Sequence, residues 1–316
     1  MRSDPAVRAA TSVGVVLAAA WAAGHATSPA VRRWRPGTGR TIAAGPLRAR
    51  VFGIGRPVVL LLHGMAAGGN CFGAGFDGLG GNATVVIPDL LGFGGSMDTA
   101  GPVTASGHLD ALDELLEALD LAGRPVVVAG HSMGGVVAVR WAARRPATVR
   151  AVLTFCAPLY RTRSEADDGL RRFGRTDAFL AGDGPLPEAA CAWMCRHRTT
   201  ASWLTVALRP DLPVPIARAA VRHTWASYRG SLNDLIRHPG WEPALEELGS
   251  AGIPVTLAEA ARDRVPVPGR AADLAATSII IRHEVHPHSN HGLPLIDGPW
   301  CASLISAFLD GQDHSP

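Results

Sequence analysis

Residues 125–146, Pro-Val-Val-Val-Ala-Gly-His-Ser-Met-Gly-Gly-Val-Val-Ala-Val-Arg-Trp-Ala-Ala-Arg-Arg-Pro, change their hydrophobic period in the middle. Pro125 to Ala129 is a short, continuous, mostly β-branched apolar run, the pattern of a strand buried on both faces. From Val136 to Arg145 the period is helical, with Ala, Val and Trp on one side, and Pro146 ends it. Between them Gly130-His131-Ser132-Met133-Gly134 spells G-x-S-x-G, a turn from strand into helix. Such a turn holds its serine on a strained corner, and glycine flanks let the two backbones approach. The hydroxyl is then presented above a helix N-terminus, which favours negative charge developing nearby. A Gly-rich turn arises by chance in a chain with 36 glycines, but the strand before it and the helix after it point to a functional corner.

What surrounds that corner is a chain long enough, at 316 residues, for a large core, and its 47% hydrophobic and 18% charged residues suit one globular domain with an insertion. A net charge of +3 makes no case for a nucleic-acid partner. All thirty basic residues are arginine, so a lysine Schiff base, a Ser–Lys dyad and a phosphate-loop lysine are excluded. Cys71, Cys156, Cys191, Cys195 and Cys301 are odd in number and scattered, forming neither a disulfide framework nor a zinc spacing. No metal or cofactor is expected.

Apolar runs and turn signals alternate along the chain. Arg40–Ala44 and Leu47–Phe52 read as a hairpin, and Pro57–Leu62 and Ala83–Ile87 as core strands. Val103–Leu121 is an amphipathic helix with Leu109, Leu112, Leu115, Leu116 and Leu119 facing inward. Arg150–Phe155, Ile253–Leu257 and Ser278–Val285 continue the strands, while Pro268–Ala275 and Pro299–Leu309 read as helices. Strands alternating with helices predict a mostly parallel sheet covered on both faces. The alternation lapses over about 160–241, where Pro-broken helical pieces carry Trp193, Trp203, Trp225 and Trp241. So long a stretch between strands predicts an insertion with its own helices.

The first 36 residues differ from the rest. Ala9–Ala23 is apolar and uncharged, and nothing from Ala9 to Val31 carries a charge before Arg32, Arg33 and Arg35. The run suits a secretory signal, a membrane anchor through residues 9–31, or a helix packed on the domain through Val13, Val16, Leu17 and Trp21. The first two imply export or membrane association and the third a cytoplasmic protein; all three readings stay open. The main domain is expected over 37–316.

A serine is a poor nucleophile at neutral pH and needs a base within hydrogen-bond reach, itself oriented by a third group. Two strand-end loops offer candidates: Asp263 after Ile253–Leu257, and His291 after the last strand. Glu165, Asp167 and Asp168 are alternative acids after the preceding strand. His283, His286 and His288 neighbour His291, but only His291 is followed by Gly-Leu-Pro. Asp89 reads as a turn residue, His63 as a brace for its own loop and His131 as packing behind the serine. Arg161, Arg163, Arg171, Arg172 and Arg175 read as a solvated face, or as a cationic rim for an acidic substrate.

Taken together, His63-Gly-Met65, Asp89-Leu-Leu-Gly-Phe-Gly-Gly-Ser96, Gly130-His-Ser-Met-Gly134, Asp263-Arg-Val-Pro266 and His291-Gly-Leu-Pro294 resemble the α/β-hydrolase superfamily in its lidded serine-esterase branch. The resemblance runs from about residue 40 to the C-terminus. It implies an α/β-hydrolase fold with a mostly parallel eight-stranded sheet, helices on both faces and a helical lid. It implies further that Ser132 is the nucleophile, His291 the base and Asp263 the orienting acid. The backbone N–H groups of Met65 and Met133 would form the oxyanion hole, each contributing about 3 kcal/mol to the transition state. Two positions depart from the family: Asn290 stands where glycine usually precedes the histidine, and Ala260 where the acid loop usually has glycine. The expected activity is hydrolysis of a small apolar carboxylic ester or related acyl bond through an acyl-enzyme. Acyl transfer or cofactor-free perhydrolysis on the same triad remains the alternative class, and a catalytically silent binding protein the third.

Overall fold

The computed structural model describes residues 18–98 and 103–309, with backbone only for 175–177. Its frame is one eight-stranded sheet: β1 (Arg40–Ala44), β2 (Leu47–Phe52), β3 (Val58–Leu62), β4 (Thr84–Pro88), β5 (Val126–His131), β6 (Val149–Phe155), β7 (Val255–Ala260) and β8 (Ile281–His286). The spatial order is β1-β2-β4-β3-β5-β6-β7-β8. β1 and β2 pair antiparallel, as does β2 with β4, and every later pairing is parallel. This is the α/β-hydrolase fold expected from the sequence. β3 and β5 sit centrally and are buried on both faces, which is why they read as unbroken apolar runs.

Side chains alternate across a strand, so each central strand feeds two cores. Val58, Leu60 and Leu62 point to one, with Leu112 and Leu115 of helix Ala105–Ala118 and with Trp141 of helix Met133–Ala143. Val59 and Leu61 point to the other, with Phe72, Phe76, Cys301 and Ile305. Trp241, read from sequence with the insertion's tryptophans, instead opens helix Trp241–Ser250 and is buried in the first core, which also holds Trp141. Its indole N–H donates to the Tyr160 carbonyl at 2.7 Å.

Between β6 and β7 the insertion folds as a run of helices from Arg163 to Arg237. At the N-terminal end, residues 18–27 are helical and lie against this insertion. The Trp21 indole N–H donates to the Val206 carbonyl at 2.9 Å, the His25 ring to Pro210 O at 3.0 Å and the Ser28 hydroxyl to Asp211 O at 2.6 Å. Trp34 Nε1 donates to Asn70 O at 3.1 Å, carrying the segment onto the main domain. Val13, Val16 and Leu17 lie outside the described residues. Among those described, no helix is long and apolar enough to cross a membrane.

Candidate active site

Backbone geometry positions the serine. Ser132 sits between the end of β5 and the start of helix Met133–Ala143 with φ 52° and ψ −124°, a conformation that L-residues rarely hold. Its flanks cannot carry side chains. A Cβ on Gly130 would stand 2.0 Å from the Gly134 carbonyl oxygen, and one on Gly134 would stand 2.2 Å from that of Leu62. The glycines are there because two strands and a helix start converge on that volume. The helix begins at Met133, three residues before the apolar period starts in the sequence. The first N–H groups of any helix lack an intrahelical acceptor, and here the Gly135 N–H donates back to the Ser132 carbonyl at 2.8 Å.

Across the sheet ends, three loops meet. The Ser132 hydroxyl lies 3.0 Å from His291 Nε2, and His291 Nδ1 lies 2.8 Å from Asp263 Oδ2. The second carboxylate oxygen of Asp263 accepts the Val265 N–H at 2.9 Å, and its side chain is 1% exposed. Burial alone would push this carboxyl up. The His291 ring beside it, the hydrogen bond between them, the Val265 N–H and the Cys156 thiol more than offset that, holding it below the usual carboxylate range. Met65 and Met133, the residues expected to supply backbone donors, follow His63-Gly64 and Ser132 respectively. A Cβ on Gly64 would stand 3.1 Å from Ser132 Cβ, which puts the Met65 loop directly against the serine.

The neighbours behave as scaffolding. His131 donates from Nε2 to the His291 carbonyl at 2.7 Å, and burial beside the His291 ring lowers its pKa to about 3. His63 donates from Nδ1 to Gly64 O at 2.7 Å and accepts the Leu90 N–H on Nε2 at 2.8 Å, tying two loops together. Asp89 accepts from the N–H groups of Gly69 at 2.7 Å and Gly95 at 2.6 Å. Asn290, where the family usually has glycine, accepts the Gly292 N–H at 2.9 Å and so shapes the turn around His291 with its own side chain. His283 pairs with Glu259 and His286 with Asp297, and neither ring reaches Ser132.

The alternative acids are spoken for by arginines. Glu165 pairs with Arg270, Asp167 with Arg237 and Asp168 with Arg171. Of the arginines read as a solvated face, Arg161 pairs with Glu242 and Arg163 with Asp167 and Asp183, while Arg172 donates to the Arg264 carbonyl.

Two residues at the site carried no sequence signal. Phe173, the last residue of insertion helix Arg163–Phe173, sets its ring edge-on to His291 at 5.0 Å between centroids. Cys156, with φ 55° just past β6, lies against Asp263. Cys156, Asp263 and His291 are also the single trio of metal-capable side chains within 4.8 Å of one another among the described residues. Their hydrogen bonds to one another account for that proximity.

The match to known proteins follows the same elements. A sequence profile of the alpha/beta hydrolase family covers residues 59–303. Lipase LipV of Mycobacterium tuberculosis is 36% identical over 122 residues, 39% of this chain and 42% of that protein. A thermophilic esterase from Thermogutta terrifontis superposes with a TM-score of 0.59 at 20% identity, covering 86% of this chain and 98% of that one. A hydrolase from Pseudomonas aeruginosa gives 0.63 at 19%, covering 88% and 100%. The chain spans about a third of the length of the first curated relatives it matches, 34% in each. From strand order to serine corner, and over most of its length, this chain belongs to the alpha/beta hydrolase family.

Proposed function

We propose that the protein is a serine hydrolase that cleaves a carboxylic ester or related acyl bond through an acyl-enzyme on Ser132. One observation carries this reading: an unbroken line of hydrogen bonds from Ser132 Oγ through His291 to Asp263, at 3.0 and 2.8 Å. His291 Nε2 takes the hydroxyl proton as Oγ attacks the substrate carbonyl carbon. The oxyanion that forms is held by the N–H groups of Met65 and Met133, and the helix start beneath it favours that charge. His291 then returns the proton to the departing alkoxide. Water repeats the sequence on the acyl-enzyme and restores Ser132. Asp263, ionised, fixes the ring with Nδ1–H toward itself and stabilises the imidazolium formed in each half-reaction. The helices of residues 163–237 act as a lid over this reaction, with Phe173 shielding the base. Names of lipases and esterases among the relatives fit the same chemistry.

A fluorophosphonate probe tests the reading. It should label the protein once, at Ser132, and p-nitrophenyl esters of short acids should be turned over. Ser132→Ala should abolish labelling, and Asp263→Asn should lower kcat by about four orders of magnitude in a folded protein. A folded wild-type chain that neither labels nor turns over any ester would overturn the proposal.

A further inference from the structure

We propose that Tyr160 is a positioning residue for Asp263, acting through Val265 from the root of the helical insertion. The inference rests on the catalytic reading above and extends it. β6 ends at Phe155, and Cys156 to Tyr160 run buried from the strand to the insertion. At the end of that run the Tyr160 hydroxyl donates to the Val265 carbonyl at 2.6 Å, across 105 residues of sequence. The same residue's N–H donates to Asp263 Oδ1 at 2.9 Å. Five groups thus form one line: Tyr160 O–H to Val265, Val265 to Asp263, Asp263 to His291, and His291 to Ser132, at 2.6, 2.9, 2.8 and 3.0 Å.

Tyr160 can place Val265 because Tyr160 itself has little freedom. It is 1% exposed, and its carbonyl is held by the Trp241 indole. Gly169 of helix Arg163–Phe173 closes over the phenol: a Cβ there would stand 1.9 Å from the hydroxyl oxygen. Burial pushes the phenol's pKa up, so the group stays a donor. Two arginines also tie the acid loop to the same root: Arg172 Nε donates to Arg264 O at 3.2 Å, and Arg270 donates to Leu159 O and Glu165 at 2.8 and 2.9 Å. Arg172 thus holds the carbonyl of the Arg264–Val265 peptide whose N–H meets the acid. Tyr160 holds the carbonyl of the next peptide, so the two fix Val265 from both sides of its Cα.

The bland alternative is a buried tyrosine satisfying its hydroxyl on whatever carbonyl is near. The two differ in what Tyr160→Phe does. With one neutral hydrogen bond lost two links from the reacting atoms, kcat should fall about three- to tenfold with KM unchanged. The far-downfield proton resonance of the His291–Asp263 hydrogen bond, identified by its loss in Asp263→Asn, should shift or broaden. A role in packing alone would lower the thermal midpoint and leave kcat and that resonance at their wild-type values. Should Tyr160→Phe prove insoluble, Gly169→Ala displaces the hydroxyl while keeping the ring and must reproduce the loss in kcat. Wild-type kcat and an unmoved resonance in a folded variant would overturn the role of Tyr160 while Ser132 still labels. An unlabelled wild-type protein would instead remove the catalytic reading on which it rests.

Discussion

The strand-end frame and the helical insertion are held together by different balances of apolar burial and ion pairing. Val58–Leu62 and the strand before Ser132 sit in dry cores on both faces of the sheet, fixed by apolar burial and parallel pairing. The insertion between Arg163 and Arg237 buries Leu232, Leu235 and Ile236 in one of the same cores but adds a network of arginine–carboxylate pairs. Arg229 and Arg163 converge on Asp183, and Arg237 bridges Asp167 and Asp183. It leaves Leu186, Trp203 and Leu208 more than half exposed. A packed core has one arrangement and loses energy steeply when disturbed, whereas exposed ion pairs exchange partners with water at small cost. Ser132, Asp263 and His291 stand at the ends of the first kind of structure, with the second touching His291 at Phe173.

The largest effect expected from this contrast is at the serine corner. Gly130→Ala places a methyl 2.0 Å from a backbone oxygen that has nowhere to go, so the elbow must open or the chain must not fold. The loss should exceed about 4 kcal/mol, read as a missing cooperative transition or an insoluble product. A folded, active Gly130→Ala protein would show that the frame is softer than its packing implies.

A smaller effect should separate ion pairs within the insertion. Arg237 is 3% exposed, and besides two carboxylates it serves the Ala181 carbonyl at 2.9 Å. Arg237→Met should destabilise by about 2 kcal/mol, less than a fully buried pair would lose because Asp167 and Asp183 stay partly solvated. The Arg171–Asp168 pair, 64% and 52% exposed, serves as the internal control, and Arg171→Ala should stay within about 0.5 kcal/mol. Equal losses at the two arginines, measured by denaturant titration, would erase the distinction.

The third effect, read per histidine and per pH unit, concerns the seam between the regions. There Phe93 is ringed by His63, His108 and His223, the last from the insertion, and the backbones of Phe93 and His223 are bridged. Burial lowers the His108 pKa to about 3 and that of His223 to about 4. Both are neutral when folded and take up a proton when unfolded, so their contribution is complete above the unfolded value near 6.5 and is lost as pH falls from there toward 4. Stability should decline below pH 6.5 by up to about 1.4 kcal/mol per pH unit for each histidine. His108→Asn should remove one histidine's share of that slope. An unchanged slope in the variant would assign the acid sensitivity to groups elsewhere.

Much of the frame was legible because its determinants are local. Both strands of the first hairpin come out at their expected limits, Arg40–Ala44 and Leu47–Phe52, since period and turn chemistry lie within a few residues. The later strand boundaries move more. β7 runs to Ala260 rather than Leu257, because pairing with β8 continues past the apolar run to His286. Helix Met133–Ala143 starts earlier than its apolar period, because the start is set by the turn at Ser132 rather than by side-chain pattern.

The chain's own residues determined the sheet, the strained serine and the loops that could hold an acid and a base, since period, glycine and motif act over short distances. The sequence favours Asp263 as the acid, and the tertiary structure supplies the physical reason that it, rather than the others, reaches His291. Glu165, Asp167, Asp168 and Asp263 are chemically alike, and what separates them is that three face arginines while one is brought to 2.8 Å from the ring by pairing between β6, β7 and β8. Only the tertiary structure decided the contacts of Phe173 with His291, Tyr160 with Val265 and Trp21 with Val206. Contacts across more than a hundred residues leave no periodic trace in sequence, because they depend on how whole elements pack rather than on any residue's own preference.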